Sequence, residues 1–144
     1  MILRPDFSNP EFTIWEYGIC YEKKDKETGE IKPHKLMYSI GDLENSWIPE
    51  TAILYIGKGD NLKRRINEYI RYYKKLMECQ YKKIKVNNVP HRGGRSIWQI
   101  KDAENLIVAW MSTPGAQPVD MEKQLIIGFK SNNNGKFPFA NKIV

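Results

Sequence analysis

The stretch Tyr55-Ile56-Gly57-Lys58-Gly59-Asp60-Asn61-Leu62-Lys63-Arg64-Arg65-Ile66-Asn67-Glu68-Tyr69 decides how the chain is read. Leading into it, Thr51-Ala52-Ile53-Leu54-Tyr55-Ile56 is a short apolar run with no helical period, which predicts a buried strand ended by Gly57-Lys58-Gly59-Asp60. Beyond the turn, Leu62, Ile66, Tyr69, Ile70, Tyr73, Leu76 and Met77 recur at three- and four-residue spacing. That predicts an amphipathic helix running to about Cys79, with Asp60 as its N-cap. A strand end, a glycine and a helix start therefore meet at one corner. Such a corner delivers the Tyr55 hydroxyl, lets another backbone approach at Gly57, and turns the positive end of a helix toward any phosphate, with Lys58 beside it. Arg65 and Tyr69, four apart, are neighbours on the helix surface. A core tyrosine with a satisfied hydroxyl, and a solvated basic face at Lys63-Arg64-Arg65, fit the same residues.

Working outward, Phe12 to Tyr21 is rich in β-branched and aromatic residues and predicts a strand running into the charged turn around Thr28-Gly29. Lys35 to Ile40 reads as a hairpin arm that Gly41-Asp42 breaks. From Gln80 to Gly94 the chain is basic and irregular, with Asn87-Asn88, Pro90 and Gly93-Gly94 arguing for a loop, and Ser96 to Ile100 for a short helical turn. Asn105 to Met111 predicts a third, central strand, and Pro118 suits the first turn of a last helix from Val119 to about Lys130. In that helix Glu122 shares a stripe with Leu125, Ile126 and Phe129. A bare carboxylate on an apolar stripe is costly and a bound cation would compensate it; a place in the first turn, where the helix dipole favours an acid, accounts for it equally. The sum is an α+β domain with a small, central, mainly antiparallel three-stranded sheet flanked by helices.

The chain's 144 residues suit a single domain over 1–144. Apolar residues at 41% and charged residues at 28% exclude disordered and fibrous classes. Lys and Arg outnumber Asp and Glu by 23 to 17, and a net charge of +6 with a pI near 9.2 favours a polyanionic partner. Cys20 and Cys79 form neither a disulfide framework nor a zinc site, and His34 and His91 are not spaced as metal ligands. With no signal-peptide pattern at the start and no run long enough to span a bilayer, the expected location is the cytoplasm, away from membranes. Aromatics interleave with cations in Tyr72-Tyr73-Lys74-Lys75, in Tyr81 to Lys85 and in His91 to Arg95. Such a surface can track a phosphate backbone and stack on exposed bases.

Tyr55-Ile56-Gly57 followed by Lys58, Asn61-Leu62, Arg65 and Tyr69 resembles the second half of the GIY-YIG nuclease signature, and Gly18-Ile19-Cys20 resembles its first half. Asp120 to Ile126 and Pro138-Phe139-Ala140-Asn141 resemble the family's later segments. The resemblance covers Gly18 to Asn141, with the block from Tyr55 to Tyr69 its specific part. It implies a three-stranded antiparallel sheet flanked by helices and a metal-dependent endonuclease hydrolysing DNA phosphodiester bonds. Gly18 and Gly57 are then the motif glycines. Tyr55, Lys58, Arg65, Tyr69 and Asn141 would be catalytic, and Glu122 would be the ligand of one Mg²⁺ or Mn²⁺ ion, with Glu104 a weaker rival. Lys63, Arg64, Lys74, Lys75, Arg92 and Arg95 would contact DNA. Two departures stand out. Cys20 replaces a tyrosine implicated in deprotonating the nucleophile, leaving Tyr17, Tyr21 or Tyr38 to restore a hydroxyl by a bulge or from a neighbouring strand. The two triplets are also separated by an insertion at about 22–50, and a basic loop follows at about 80–95. A nuclease scaffold that lost activity with that tyrosine and only binds nucleic acid is the alternative, and a protein-interaction domain a third.

Overall fold

The computed structural model describes residues 1–17, 19–35, 37–84, 86–87 and 92–141; of 19–23, 32–35, 86–87 and 92–93 it describes the backbone alone. The fold is α+β, with a three-stranded antiparallel sheet and, among the described residues, four α-helices. In that sheet the middle strand is β1 (Ile2–Leu3), flanked by β4 (Ile53–Tyr55) and β6 (Ile107–Val108), with Ile2 opposite both Tyr55 and Val108. A second sheet holds β2 (Ile19–Lys24) between β3 (Ile31–Lys35), antiparallel to it, and β5 (Val86–Asn87), parallel to it.

Several expectations are corrected. Asn105 to Met111 yields only β6, and at an edge, because Ile2–Leu3 occupies the centre. A two-residue strand is too short to show any period, so pairing rather than pattern identifies it. The strand expected from Phe12 begins instead at Ile19. Phe12 is drawn into the core, its ring 5.8 Å from Phe139 and 6.1 Å from Trp47, and meets Ile100 only through an isolated bridge. The hairpin arm ends at Lys35, and Gly41-Asp42 lies inside helix α1 (Ile40–Ser46). There the Ser39 hydroxyl caps the helix by accepting the Asp42 N–H at 3.1 Å, so a stretch resembling a strand and a breaker starts a helix. Residues 22–50 thus hold the β2–β3 hairpin and α1. The loop expected to Gly94 is helical from Arg92, in α3 (Arg92–Ile97).

Helix α2 (Leu62–Lys82) forms as predicted, but its buried face is shifted: Tyr69 and Leu76 are buried together with Tyr72 and Cys79, at intervals of three and four, while Leu62 and Ile70 of the expected face are exposed. Its cap is Asn61 rather than Asp60: the Asn61 side chain accepts the Arg64 N–H at 2.8 Å. Lys83, left-handed at φ 53°, ends it. Helix α4 (Pro118–Asn132) begins with Pro118 in the first turn and buries Phe129, with Leu125 and Ile126 packed against the cluster of Ile48, Ile56 and Phe129. The larger core cluster gathers Leu43, Leu54, Tyr69, Ile97, Ile100 and Phe139.

Two buried polar side chains tie the segments together. Arg4, 4% exposed, donates from Nε to Asp102 at 3.1 Å and from Nη1 to the carbonyls of Asp6 and Ser8. Gln99, 1% exposed, accepts the Tyr38 N–H and donates to the Tyr38 carbonyl, both at 2.9 Å. Buried groups paired in this way avoid the desolvation cost of unmet donors and acceptors.

Candidate active site

Strand β4 ends at Tyr55, whose ring turns back over Gly57. A Cβ on Gly57 would overlap that ring and lie 2.5 Å from the phenol oxygen. Only glycine leaves room for this turn, which brings the phenol beside the start of α2. The Tyr55 and Tyr69 ring centroids are 5.9 Å apart, and the Arg65 guanidinium lies against both phenols. Arg65 also donates to Glu68 at 3.0 Å, one helical turn on. Burial works against the Arg65 charge, but its hydrogen bonds with Glu68 and Tyr55 more than offset this and hold its pKa above the ordinary value. Tyr69 is buried, and that burial, reinforced by Tyr55, pushes its pKa well above the usual tyrosine range despite Arg65. Tyr69 therefore keeps its proton.

These side chains open on a cleft of about 990 Å³, also lined by Lys58, Lys63 and, from the second turn of α4 rather than the first, Glu122. Glu122 is half-buried and makes no hydrogen bond or ion pair with another described residue. Glu104 lines the same cleft but accepts the hydroxyl of Tyr73, whose ring stacks on Trp98 at 4.4 Å. The acceptor raises the Tyr73 pKa. Among the described residues no group of three or more His, Cys, Asp or Glu converges on one point. A lone carboxylate does not make a closed zinc site. It does fit Mg²⁺, which keeps several waters and takes one or two carboxylates together with substrate phosphate oxygens.

Asn141 is outside the cleft but attached to its wall: its side chain accepts the Ile56 N–H and donates to the Ile56 carbonyl. Tyr55, Gly57, Lys58, Arg65, Tyr69 and Glu122, chosen from sequence, thus come together around one cleft, with Asn141 bracing the strand behind them. Gly18 lies outside the described residues, as do the side chains of Cys20, Tyr21 and Arg92. The strand beside Tyr55 is Ile2–Leu3, while Ile19–Lys24 belongs to the other sheet. Neither Tyr17 nor Tyr38 lines the cleft, so the second phenol there is Tyr69.

The expected DNA contacts divide. Lys63, Arg64 and Lys74 share an open groove on the outer face of α2 with Asn67 and Arg71, and Lys63 lines the cleft as well, joining the two. Arg64 pairs with Glu68 at 2.9 Å. Lys75 lies on the same helix, half-buried, outside that groove. Arg95 packs inward, its guanidinium 5.5 Å from the Tyr38 ring centre. Arg71 was missed from sequence, although Asn67, Arg71 and Lys74 follow Lys63 at four-, four- and three-residue spacing. Trp110 and Met111, which the sequence pattern assigns to the third strand, lie beyond the end of β6, exposed and lining the cleft. No described helix is long and apolar enough to cross a membrane. Compared with family models, curated proteins and solved structures, the chain gives no match.

Proposed function

We propose that this chain is a divalent-metal-dependent endonuclease that hydrolyses DNA phosphodiester bonds. The observation that carries the reading is the convergence of Tyr55, Lys58, Arg65, Tyr69 and Glu122, from a strand, a turn and two helices, on one cleft. In hydrolysis, water forms a new P–O bond while a P–O bond to sugar breaks. Tyr55 would position the attacking water or, once its own proton has passed to solvent, take the water's proton as the phenolate. Arg65 would donate to the phosphoryl oxygens as charge builds on them, with Lys58 adding a second positive charge. Tyr69, protonated by virtue of its burial, would orient the Tyr55 oxygen, and Asn141 would hold the backbone that carries it. Glu122 would hold one Mg²⁺ or Mn²⁺ ion, which when bound polarises the scissile phosphate and stabilises the departing oxygen. A cytoplasmic setting suits the buried thiol of Cys79.

The direct test is incubation of the purified protein with supercoiled plasmid in Mg²⁺, in Mn²⁺ and in EDTA. Conversion to nicked or linear DNA in either metal and none in EDTA is expected; intact plasmid throughout would overturn the reading. A second reading, a nucleic-acid-binding module without catalysis, is favoured by one observation: Ile19 and Cys20 belong to a strand of the other sheet, not to the sheet that carries Tyr55. It predicts binding that weakens steeply with salt and no nicking.

A further inference from the structure

The cleft has two unlike sides. One carries the cations Lys58, Lys63 and Arg65, continued along α2 by Arg71 and Lys74. The other is an apolar wall formed by Val108, Trp110, Met111 and, from α4, Met121 and Leu125. Trp110 is 70% exposed and Met111 60%, so the largest aromatic surface at the mouth faces solvent. Its position beside the phosphate-binding corner makes chemical sense for a ligand that presents phosphates on one side and flat, apolar faces on the other.

The outside of a uniform duplex presents phosphates and sugars, with base faces stacked away inside. An unpaired strand presents both. Proteins that hold single strands combine a cationic track for the backbone with aromatic rings on which bases stack. The cleft's volume, at the top of the range of about 300–1,000 Å³ typical of small-molecule pockets, suits a nucleotide or two rather than a turn of double helix. From this juxtaposition of an exposed Trp110 wall with the Lys58, Lys63 and Arg65 side we infer that the site takes unpaired DNA, one base stacking on Trp110 while its phosphate meets Arg65. The inference rests on the nuclease reading for the identity of the ligand as DNA and adds that the strand is single at the point of engagement: a flap, a gap or a melted segment.

The test is a binding titration in EDTA, where no cleavage can occur, using a short single-stranded oligonucleotide, the same sequence as a duplex, and a strand of equal length built of abasic sites. The single strand is expected to bind on the order of tenfold or more tighter than the duplex. Trp110→Ala should weaken the single strand by on the order of tenfold and leave the abasic strand unchanged, while Trp110→Phe retains most of the affinity. Circular dichroism on the same samples identifies any unfolded variant, which the Phe variant then replaces in the comparison with wild type and the abasic strand. Equal affinity for single strand and duplex, or an equal effect of Trp110→Ala on normal and abasic strands, would overturn the inference. Plasmid nicking in Mg²⁺, measured alongside, separates this failure from that of the nuclease reading.

Discussion

Asn141 directs both ends of its side-chain amide at a single residue: Oδ1 accepts the Ile56 N–H at 2.7 Å and Nδ2 donates to the Ile56 carbonyl at 2.6 Å. Ile56 is 2% exposed, so neither backbone group has ready access to water. Asn141→Ala should leave both unmet and cost about 2–4 kcal/mol of stability, with cleavage falling because Tyr55 is carried by the same backbone. Asn141→Asp keeps the acceptor, loses the donor, and should be intermediate. Urea unfolding reads the first effect, and a loss below about 0.5 kcal/mol for the alanine variant would contradict it.

Arg65 and Glu122 touch the proposed chemistry without carrying the fold. The Glu122 side chain forms no hydrogen bond or ion pair with another described residue, and Arg65 contributes an ion pair to a glutamate of its own helix and a hydrogen bond with Tyr55 within the site. Arg65→Ala and Glu122→Gln should each lower the nicking rate by on the order of a hundredfold, with stability changed by no more than about 0.5 kcal/mol. Nicking at the wild-type rate by either folded variant would remove that residue from the mechanism.

Gly57 makes room for the Tyr55 ring, and a methyl group there collides with it. Gly57→Ala should swing the phenol away from Arg65 and Tyr69 and reduce turnover about as far as Tyr55→Phe does. The double variant should be no worse than either single one, since both remove one hydroxyl from one place. Additive losses would mean that Gly57 acts on something other than Tyr55.

Burial raises the pKa of Tyr72 as it does that of Tyr69, though Arg95 opposes it. The folded protein therefore holds these protons more tightly than the unfolded chain. Their contribution to stability is complete below the ordinary tyrosine value of about 10 and is lost as pH rises above it, because the unfolded state ionises first. Stability measured between pH 9 and 11 should fall with pH. In Tyr72→Phe, which leaves the cleft untouched, the slope should be shallower by up to about 1.4 kcal/mol per pH unit. An unchanged slope would show that Tyr72 ionises alike in both states.

The parts legible in sequence were those set by local chemistry. The period of Leu62 to Met77 marks α2 because one face of a helix must be apolar, and Tyr55-Ile56-Gly57 leads into it as expected. The wrong cap, Asp60 for Asn61, is a choice between two adjacent residues of the same capping type. What escaped depends on partners distant in the chain. Nothing local distinguishes Ile2–Leu3 from a frayed end; it is a central strand because Tyr55 and Val108 lie on either side. Ser39 to Ser46 has residues that serve a hairpin or a helix, and the Ser39 cap decided for the helix. Within the site, Glu122 was found through its awkward place on an apolar stripe, whereas Trp110 passed for a strand residue because its exposure is a tertiary property.

The middle strand of the sheet, Ile2–Leu3, lies far along the chain from both of its partners, Ile53–Tyr55 and Ile107–Val108. Most of the chain must therefore be synthesised before that sheet closes, and the contacts involved span long stretches of sequence, a topology that folds slowly. The same arrangement ties the two parts of the cleft together: among the described residues β1 pairs both with the strand that ends at Tyr55 and with the strand that leads to Trp110, so loss of β1 would remove the strand they share.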